Sequence, residues 1–495
     1  MPMPPPISLQ ELPVKVLFVS VEMSPLVKVG GLADVAGSLP KALRNRGLDV
    51  RVVLPLHRSV DRRRHELVRT VDTVRVSTPR GPLPAALWQG RAGGIPVYAV
   101  ENAQMFDRSQ VYGEPDDVHR WLFFCDAVLA LLPHLDWRPD VVHLNDWHAA
   151  FIAARLRGDA ARAPSTPALL YTIHNLALKG EFDRHFATQH HLSLHPPAGL
   201  EVSPELLCSG MAQGIARADL ITTVSPTYAR EILTPEYGAG LDPLLRQRAS
   251  DLFGILNGID DDEFNPATDP RLPAHFSADD LGPRQEVRRA LQRHTGLGES
   301  AAPVVGVVNR LFWQKGADIA VDGIGRLLDA GAALQFVVLG TGDQVYHEQL
   351  RGLERRHSHA VKLYLEFNPD LAQLIYGGSD IFLMPSRYEP CGLGQMIAMR
   401  YGSVPVVRRT GGLADTVIDA DEQPASGRGF VFAEPNGAAL AAALQRAFAA
   451  YRDPPRWRAI QLNGMRADFS WKEPASRYAD LYGMAVDRRA ARSHL

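Results

Sequence analysis

Short apolar runs typical of buried strands alternate along this chain with segments whose apolar residues recur at helical spacing. In the first half the strand-like runs lie at 15–21, 50–54, 97–100, 141–144, 168–173 and 220–224. Helical patterns at 121–132 and 203–217 lie between them. Parallel strands need a crossover connection, which is usually a helix. The alternation therefore predicts an α/β domain with a mostly parallel, doubly wound sheet.

The same alternation starts again beyond residue 255, with strand-like runs at 304–308, 334–339, 361–365, 381–384, 404–407 and 429–432. A chain of 495 residues is also too long for one hydrophobic core. We therefore predict Rossmann-like domains at 14–254 and 255–466, a disordered lead at 1–13 and a C-terminal helix within 467–495. Doubly wound sheets bind ligands beyond the carboxyl ends of their strands, so two such domains facing each other would enclose a central cleft.

Composition excludes several classes of protein. Apolar residues make up 46% of the chain and charged residues 22%, as in ordinary globular proteins. The 53 Lys and Arg residues nearly balance the 55 Asp and Glu residues, which gives no electrostatic basis for binding nucleic acid or an anionic membrane. No apolar run is long enough to span a membrane, and the N-terminus lacks a signal-peptide pattern. The three cysteines suggest neither a zinc cluster nor a disulfide framework. We expect a cytoplasmic protein.

Two cassettes with nearly the same letters lie near opposite ends of the chain, KVGGLAD at 28–34 and RTGGLAD at 409–415. Each follows a strand-like run and leads into a helical pattern. Glycine lets backbone N–H groups approach a ligand closely, and a helix N-terminus favours negative charge. We therefore predict that Gly31, Thr410 and Gly411 bind phosphates, with Lys28 as a neighbouring cation. The alternative is that each glycine pair serves only its turn.

The strongest local motif is PSRYEPCGLGQ at 385–395, which follows the strand-like run 381–384. Loops at that end of a parallel strand carry catalytic groups, so Glu389 is a candidate. The amides of Gly392 and Leu393 would point out of a helix N-terminus towards an anion. A carboxylate beside such amides suits a glycosyl centre that gains positive charge as a phosphate leaves. The alternative is a carboxylate that caps this helix.

Other polar groups follow strands in the same way. Arg310 and Lys315 end one strand and open a helix, where they can neutralise a leaving diphosphate. His174 ends the run 168–173 and can donate a hydrogen bond to a sugar hydroxyl, although a lone histidine is more often structural. Asp146 lies in HLNDWH at 143–148, beside an aromatic residue suited to a sugar ring. The spacings in this run do not favour a metal site.

Taken together, these motifs resemble the family of bacterial glycogen synthases and plant starch synthases, over residues 15–482. The resemblance rests on EMSP at 22–25, KVGGLADV at 28–35, DVVH at 140–143, DWHA at 146–149, TIHNLA at 172–177, TVSPTYA at 223–229, LNGID at 256–260, RL at 310–311, QKG at 314–316, RYEPCGL at 387–393 and RRTGGLADTV at 408–417. It implies the GT-B fold, two Rossmann-like domains around a cleft with the C-terminal helix crossing back onto the first. It also implies transfer of glucose from ADP-glucose to the non-reducing 4-hydroxyl of an α-1,4-glucan such as glycogen, with retention and without a metal or other cofactor.

The resemblance also implies roles for single residues. Glu389 would act at the glucosyl centre, with His174 and Asp146 on the transferred glucose. The donor and its phosphates would be bound by Lys28, Gly31, Arg310, Lys315, Gly392, Leu393, Cys391, Asn257, Phe367, Thr410 and Gly411. Phe367 stands where the family has a tyrosine against the adenine, Gly394 where it has threonine, and Ala212 where it has lysine.

Three alternatives stay open at this point. One is a related retaining enzyme that uses UDP-glucose or a small acceptor, and another is a non-catalytic protein that binds glucan or nucleotide. A binding protein would not need Glu389, Arg310, Lys315 and Lys28 together. A dehydrogenase is the third, because residues 338–343 carry the first two glycines of a dinucleotide fingerprint, but Val345 stands where the third is expected.

Overall fold

A computed structural model describes residues 13–158 and 166–493. The predicted disordered lead at 1–13 lies outside this part, apart from its last residue. The described residues divide into two compact units. The first runs to Thr222 and adds Gly238–Phe253 and the chain from Lys472 onwards, while the second comprises Thr223–Tyr237 and Gly254–Trp471. The predicted domain at 14–254 is therefore interrupted, because residues 223–237 pack within the second unit.

The first unit is built on a nine-stranded sheet with the order β3-β4-β5-β2-β1-β6-β7-β8-β9. Its strands are β1 Lys15–Val19, β2 Asp49–Pro55, β3 Val68–Val76, β4 Leu83–Ala92, β5 Ile95–Glu101, β6 Val141–Asn145, β7 Ala168–Ile173, β8 Leu220–Thr223 and β9 Leu252–Gly254. β1 pairs in parallel with β2 on one side and β6 on the other, so the chain reverses its direction of winding between β1 and β6. That crevice is where doubly wound sheets bind ligands.

An antiparallel hairpin extends this sheet beyond β5. β3 pairs with β4 and β4 with β5, both antiparallel. Neither β3 nor β4 was predicted from the sequence. β3 is largely exposed and reads VRTVDTVRV, in which polar residues separate the valines, so it contains neither a continuous apolar run nor a regular alternation. Register shifts also interrupt its pairing with β4.

Helices cover the first unit's sheet. Their bounds are Gly31–Asn45, Ala103–Phe106, Asp117–Leu131, Asp146–Ala149, Phe151–Arg157, Arg184–Gln189, Gly210–Arg217, Asp242–Gln247 and Lys472–Ser493. The last of these, the C-terminal helix, packs against β7 and the helix Gly31–Asn45. Its Tyr482 hydroxyl lies 2.8 Å from Nδ1 of His143, which is buried on β6.

The second unit has six parallel strands in the order β12-β11-β10-β13-β14-β15. They are β10 Val304–Val308, β11 Gln335–Leu339, β12 Val361–Tyr364, β13 Ile381–Met384, β14 Val404–Arg408 and β15 Phe430–Phe432. Counted from the first, this is the order 3-2-1-4-5-6 of a doubly wound fold, so its ligand crevice lies between β10 and β13. All six match predicted runs.

Nine helices flank the second sheet in the described residues, at Pro226–Glu231, Arg284–Thr295, Ala317–Asp329, Gln344–Arg356, Pro369–Gly378, Gly394–Arg400, Gly411–Thr416, Gly437–Tyr451 and Pro454–Met465. Successive residues of each strand enter the cores on opposite faces, as β13 shows: Ile381 and Leu383 pack in one core, and Phe382 and Met384 in the other. Burial on both faces explains why these strands read as continuous apolar runs.

Candidate functional site

In the second unit, Glu389 lies in the loop that follows β13, at the predicted crevice. Its carboxylate is buried and accepts hydrogen bonds from Lys315 Nζ, at 2.8 Å to Oε1 and 2.6 Å to Oε2. The Ser386 hydroxyl donates a third, at 3.0 Å. Lys315 was predicted to bind a diphosphate, whereas in the structure it pairs with the candidate catalytic carboxylate. Ser386 was missed, although it lies within the same motif.

Gly392 and Leu393 follow Glu389 and precede the helix Gly394–Arg400. Gly392 has a φ of 71°, and a Cβ there would lie 2.5 Å from Gln395 Oε1, so the turn requires glycine. Within the described residues, no protein acceptor takes the N–H of Gly392 or Leu393. Two free amides at a helix N-terminus, beside Glu389, offer hydrogen bonds to an anion.

Close packing explains why position 394 is a glycine rather than a larger residue. A Cβ at this position would meet a ring carbon of buried Phe382 at 3.1 Å and the Met384 sulfur at 3.5 Å. A threonine there would therefore have to displace Phe382 or Met384.

Asn257 and Cys391 line the same region of the second unit. Both are buried, and a backbone hydrogen bond from Asn257 reaches the Cys391 thiol. Burial raises the pKa of Cys391 to about 12, which favours the neutral thiol over the nucleophilic thiolate. Among the described residues Asn257 Oδ1 is buried with no hydrogen-bond donor. A buried acceptor without a partner is costly, which favours a ligand donor at this point.

Within the second unit, Arg310 and Phe367 are the exposed members of the predicted donor site. Arg310 follows β10, and its guanidinium lies 5.4 Å from the centre of the Phe312 ring. No carboxylate in the described part of the chain pairs with it. Phe367 is 73% exposed, which is unusual for a phenylalanine and leaves its ring face open for stacking.

In the first unit, Asp146 and His174 lie together just beyond the carboxyl ends of the paired strands β6 and β7. Asp146 Oδ1 accepts the backbone N–H of His174 at 2.7 Å and that of Asn175 at 3.3 Å. Asp146 has a φ of 57°, in the left-handed region that is strained for most residues and that concentrates at functional sites. Burial raises the pKa of Asp146 to about 7.

His174 is held as a neutral ring. Its Nε2 lies 2.9 Å from Asn145 Oδ1, and Asn145 Nδ2 donates to Val19 O at 3.0 Å, which fixes the amide orientation. Nε2 therefore carries the hydrogen, and Nδ1 is left as an acceptor. Burial lowers the pKa of His174 to about 3. The expectation that this histidine donates to a sugar hydroxyl is thus revised, because its free nitrogen accepts.

The first glycine cassette keeps part of its turn open. The Glu22 carboxylate accepts the N–H of Val29 at 2.7 Å and of Gly30 at 2.9 Å, but no described residue accepts the N–H of Gly31, which is exposed. Lys28 Nζ lies 2.5 Å from Asp34. Lys28 therefore begins from an ion pair rather than as a free cation. Glu22 was missed as a partner of this turn.

The second cassette differs, and this corrects the prediction for Thr410 and Gly411. Both are buried, and the Glu231 carboxylate accepts the Gly411 N–H at 3.0 Å and the Thr410 hydroxyl at 3.1 Å. The Gly412 N–H donates to the backbone oxygens of Glu389 and Pro390. These donors are satisfied within the protein, so the structure does not offer them to a phosphate. Glu231 lies 180 residues away in sequence, and no local pattern pointed to it.

A separate cavity of about 500 Å³ lies in the first unit beyond β2 and β5. None of the predicted site residues lines it. Ion pairs between Arg62 and Glu101, at 3.1 Å, and between Arg58 and Asp107, at 3.0 Å, satisfy charges on its wall. In residues 13–158 and 166–493 there is no cluster of three metal-ligating side chains, and no helix with the length and apolar character needed to cross a membrane.

Comparison with known proteins agrees with this geometry. Residues 15–247 match the family profile described as the starch synthase catalytic domain, and residues 292–460 match glycosyl transferases group 1. The glycogen synthase of Moorella thermoacetica is 45% identical over 487 residues, covering 97% of this chain and 98% of that protein. The glycogen synthase of Syntrophotalea carbinolica is 43% identical over 482 residues, covering 95% of this chain and 99% of that protein.

Solved structures are similar as well. The catalytic domain of starch synthase IV from Arabidopsis thaliana, bound to ADP and acarbose, is 36% identical with a TM-score of 0.87, and the match covers 96% of this chain and all of that one. Sucrose-phosphate synthase from Thermosynechococcus elongatus is 18% identical with a TM-score of 0.61, covering 95% of this chain and 98% of that one, a likeness of fold alone.

Proposed function

Since the chain belongs to the family of glycogen and starch synthases and is a glycosyltransferase, we propose that it transfers glucose from ADP-glucose to the non-reducing end of an α-1,4-glucan. The observation that carries this proposal is the loop after β13. It combines a buried carboxylate, Glu389, with the unpartnered amides of Gly392 and Leu393. One group stabilises positive charge at a sugar, and the other two stabilise the negative charge of a leaving phosphate.

The transfer breaks the bond between the glucose C1 and the diphosphate oxygen, and both electrons leave with that oxygen. The acceptor 4-hydroxyl forms the new bond to C1 on the same face, and its proton passes to the departing phosphate. Positive charge builds at C1 between the two events. Glu389 stabilises it, because a buried carboxylate interacts with charge far more strongly than an exposed one.

Lys315 and Arg310 are the cations that neutralise the Glu389 carboxylate and the bound diphosphate. In the structure Lys315 binds both oxygens of Glu389, which compensates a buried charge that would otherwise be costly. When a diphosphate binds beside it, the Lys315 ammonium has a second anion to share. Arg310 brings a cation with no carboxylate partner in the described chain, and its planar group suits two phosphate oxygens at once.

His174 and Asp146 would bind the hydroxyls of the transferred glucose. A neutral His174 accepts at Nδ1, and Asp146 accepts through the oxygen that the backbone amides leave free. Lys28 and Gly31 would take part in binding the donor phosphates. For Lys28 this requires that the phosphate compete with Asp34.

The donor base is the least constrained part of the proposal. Phe367 offers an exposed ring, and a purine has the larger face to stack on it. Asn257 Oδ1 is a buried acceptor that a ligand could satisfy. The exposed ring of Phe367 supports an adenine nucleotide, whereas Asn257 would accept from any base that carries an N–H donor, and UDP-glucose is the alternative donor.

The test is to incubate the purified protein with ADP-glucose or UDP-glucose, with and without glycogen, and to measure the nucleoside diphosphate released. We expect release that depends on glycogen, with the larger kcat/KM for ADP-glucose. Equal or better use of UDP-glucose would refute the proposed donor and leave glucosyl transfer standing. Release without growth of the glucan, with either donor, would refute the proposed acceptor.

A further inference from the structure

The segment 223–237, which packs within the second unit, is fastened to the second glycine cassette by two side chains of the helix Pro226–Glu231. Glu231 accepts the N–H of Gly411, at 3.0 and 3.2 Å to its two oxygens, and the hydroxyl of Thr410. Thr227 donates from its N–H and its hydroxyl to Asp415, at 2.9 and 2.6 Å. The cassette is therefore held from one side by this helix.

The other side of the same turn touches the backbone around Glu389. The Gly412 N–H lies 3.1 Å from Glu389 O and 3.2 Å from Pro390 O. A Cβ on Gly411 would lie 1.9 Å from Glu389 O, and a Cβ on Gly412 would lie 2.1 Å from Cys391 O. Gly411 also has a φ of 43°. The two glycines thus serve a close backbone approach to the catalytic loop.

Arg408 makes a second connection between the segment 223–237 and the loop that carries Glu389. Its Nε donates to Ser386 O at 2.8 Å, and a terminal nitrogen donates to Arg387 O. The same nitrogen lies 3.3 Å from the Tyr237 hydroxyl, at the end of the segment 223–237. The backbone before Glu389 is therefore hydrogen-bonded to Arg408, and the backbone at and after Glu389 to Gly412. Both partners are in turn connected to the segment 223–237.

The negative charge of Glu231 explains why a glutamate suits this position. Burial raises the pKa of Glu231, and hydrogen bonds from Gly411 and Thr410 with the charge of Arg408 oppose that rise. A carboxylate on buried backbone N–H groups makes a stronger hydrogen bond than a neutral acceptor would. It therefore fixes a turn that would otherwise leave buried donors unsatisfied.

We propose that Glu231 is a positioning residue for glucosyl transfer, which through the Thr410–Gly412 turn fixes the backbone that carries Glu389. This rests on the proposed function of Glu389. The competing explanation is that Glu231 only occupies a phosphate site and leaves when a donor binds. The two explanations predict different effects of removing the Glu231 carboxylate. If Glu231 only competes with phosphate, the donor should bind more tightly; if it positions the backbone of Glu389, kcat should fall.

The experiment compares Glu231→Ala, Glu231→Asp and Glu231→Gln with the wild type, and uses Glu236→Ala as the matched control. Glu236 lies in the same segment and is exposed. We expect Glu231→Ala to lower kcat by at least about tenfold, because small displacements of a catalytic group are costly in rate. The dissociation constant for ADP should change by less than about twofold. Glu231→Gln keeps an acceptor oxygen, so it should retain kcat within about threefold.

Amide hydrogen exchange gives a readout that needs no turnover. The peptide containing Gly411 and Gly412 should exchange at least about tenfold faster in Glu231→Ala than in the wild type. Glu231→Asp, whose carboxylate is one methylene shorter, should behave in the same way and replaces the alanine variant if that one does not fold. Unchanged kcat or unchanged exchange in both variants, or tighter ADP binding by threefold or more, would overturn the proposal. A wild type that transfers no glucose overturns the proposed function instead.

Discussion

Three glycine turns of this chain differ at the level of single residues, in whether a carboxylate already accepts their amide hydrogens. Glu231 takes the N–H of Gly411, and Glu22 takes those of Val29 and Gly30. The N–H groups of Gly392 and Leu393 have no acceptor in the described chain. The free amides of Gly392 and Leu393, and the free amide of Gly31 in the first cassette, can bind an anion, whereas the occupied amide of Gly411 is part of the scaffold.

Arg310 gives a prediction at this scale. Replacing it with alanine should raise the dissociation constant for ADP by about ten- to a hundredfold, because a charge-assisted hydrogen bond contributes about 1.5 to 3 kcal/mol. Isothermal titration with ADP measures this directly. Arg351→Ala is the matched control, since Arg351 is exposed in the same unit. An ADP affinity in Arg310→Ala within twofold of the wild type would remove Arg310 from the donor site.

Among the secondary-structure elements, the strands that border the two crevices were predicted best from the sequence. The strands β1, β6, β7, β10 and β13 matched apolar runs, so the loops after them could be assigned to the ligand edge of each sheet. Glu389, Asp146 and His174 were predicted as site residues in this way. The hairpin β3–β4 was missed because exposed strands lack continuous apolar runs.

Partners that are distant in sequence could not be predicted. The two glycine cassettes have almost the same sequence but different environments. Glu231, 180 residues away in sequence, accepts the amide hydrogen of Gly411 in the second cassette, and only tertiary packing brings the two together. The segment 223–237 likewise reads as part of the first domain, since the chain enters it from β8 and returns to the first unit after it. Contacts, rather than sequence order, place it with the second unit.

The turn before the helix Gly394–Arg400 gives a prediction at the scale of an element. Gly392→Ala should lower the melting temperature and abolish most turnover, because a residue with a Cβ at a φ of 71° costs roughly 1 to 2 kcal/mol and here also meets Gln395 Oε1. Gly298→Ala serves as the control, because a Cβ at Gly298 meets nothing within 4 Å. Wild-type melting and turnover for Gly392→Ala would show that this turn is not fixed as described.

For the molecule as a whole, the two units differ in their response to acid. In the first unit three histidines are buried, His57, His143 and His148, and a fourth, His174, is half-buried. Burial lowers the pKa of His57 to about 4 and of His148 and His174 to about 3, and places that of His143 well below its usual value. The contribution of each histidine to stability is therefore complete above about pH 6.5, falls as the pH drops below that value, and is fully lost once the pH has passed the folded-state pKa.

His57, His148 and His174 should each destabilise the folded first unit by about 2 kcal/mol at pH 5 relative to pH 7.5, and His143 acts in the same direction. Asp146 opposes one of them, because its pKa is raised to about 7 and its burial becomes less costly as it protonates. Hydrogen exchange at pH 7.5 and pH 5, corrected for intrinsic rates, should show protection lost first in β1, β6 and β7. Protection lost first in β10 and β13 would contradict this.

The account as a whole depends on Glu389, and the most direct test is chain elongation by wild type and Glu389→Gln. The substitution keeps the shape and removes the charge, so turnover of ADP-glucose should fall by about 10² to 10³ while ADP still binds. Glu434→Gln, at an exposed position of the same unit, is the control. Wild type should extend a maltooligosaccharide one glucose at a time through α-1,4 bonds. Elongation by Glu389→Gln at more than half the wild-type rate would contradict the account.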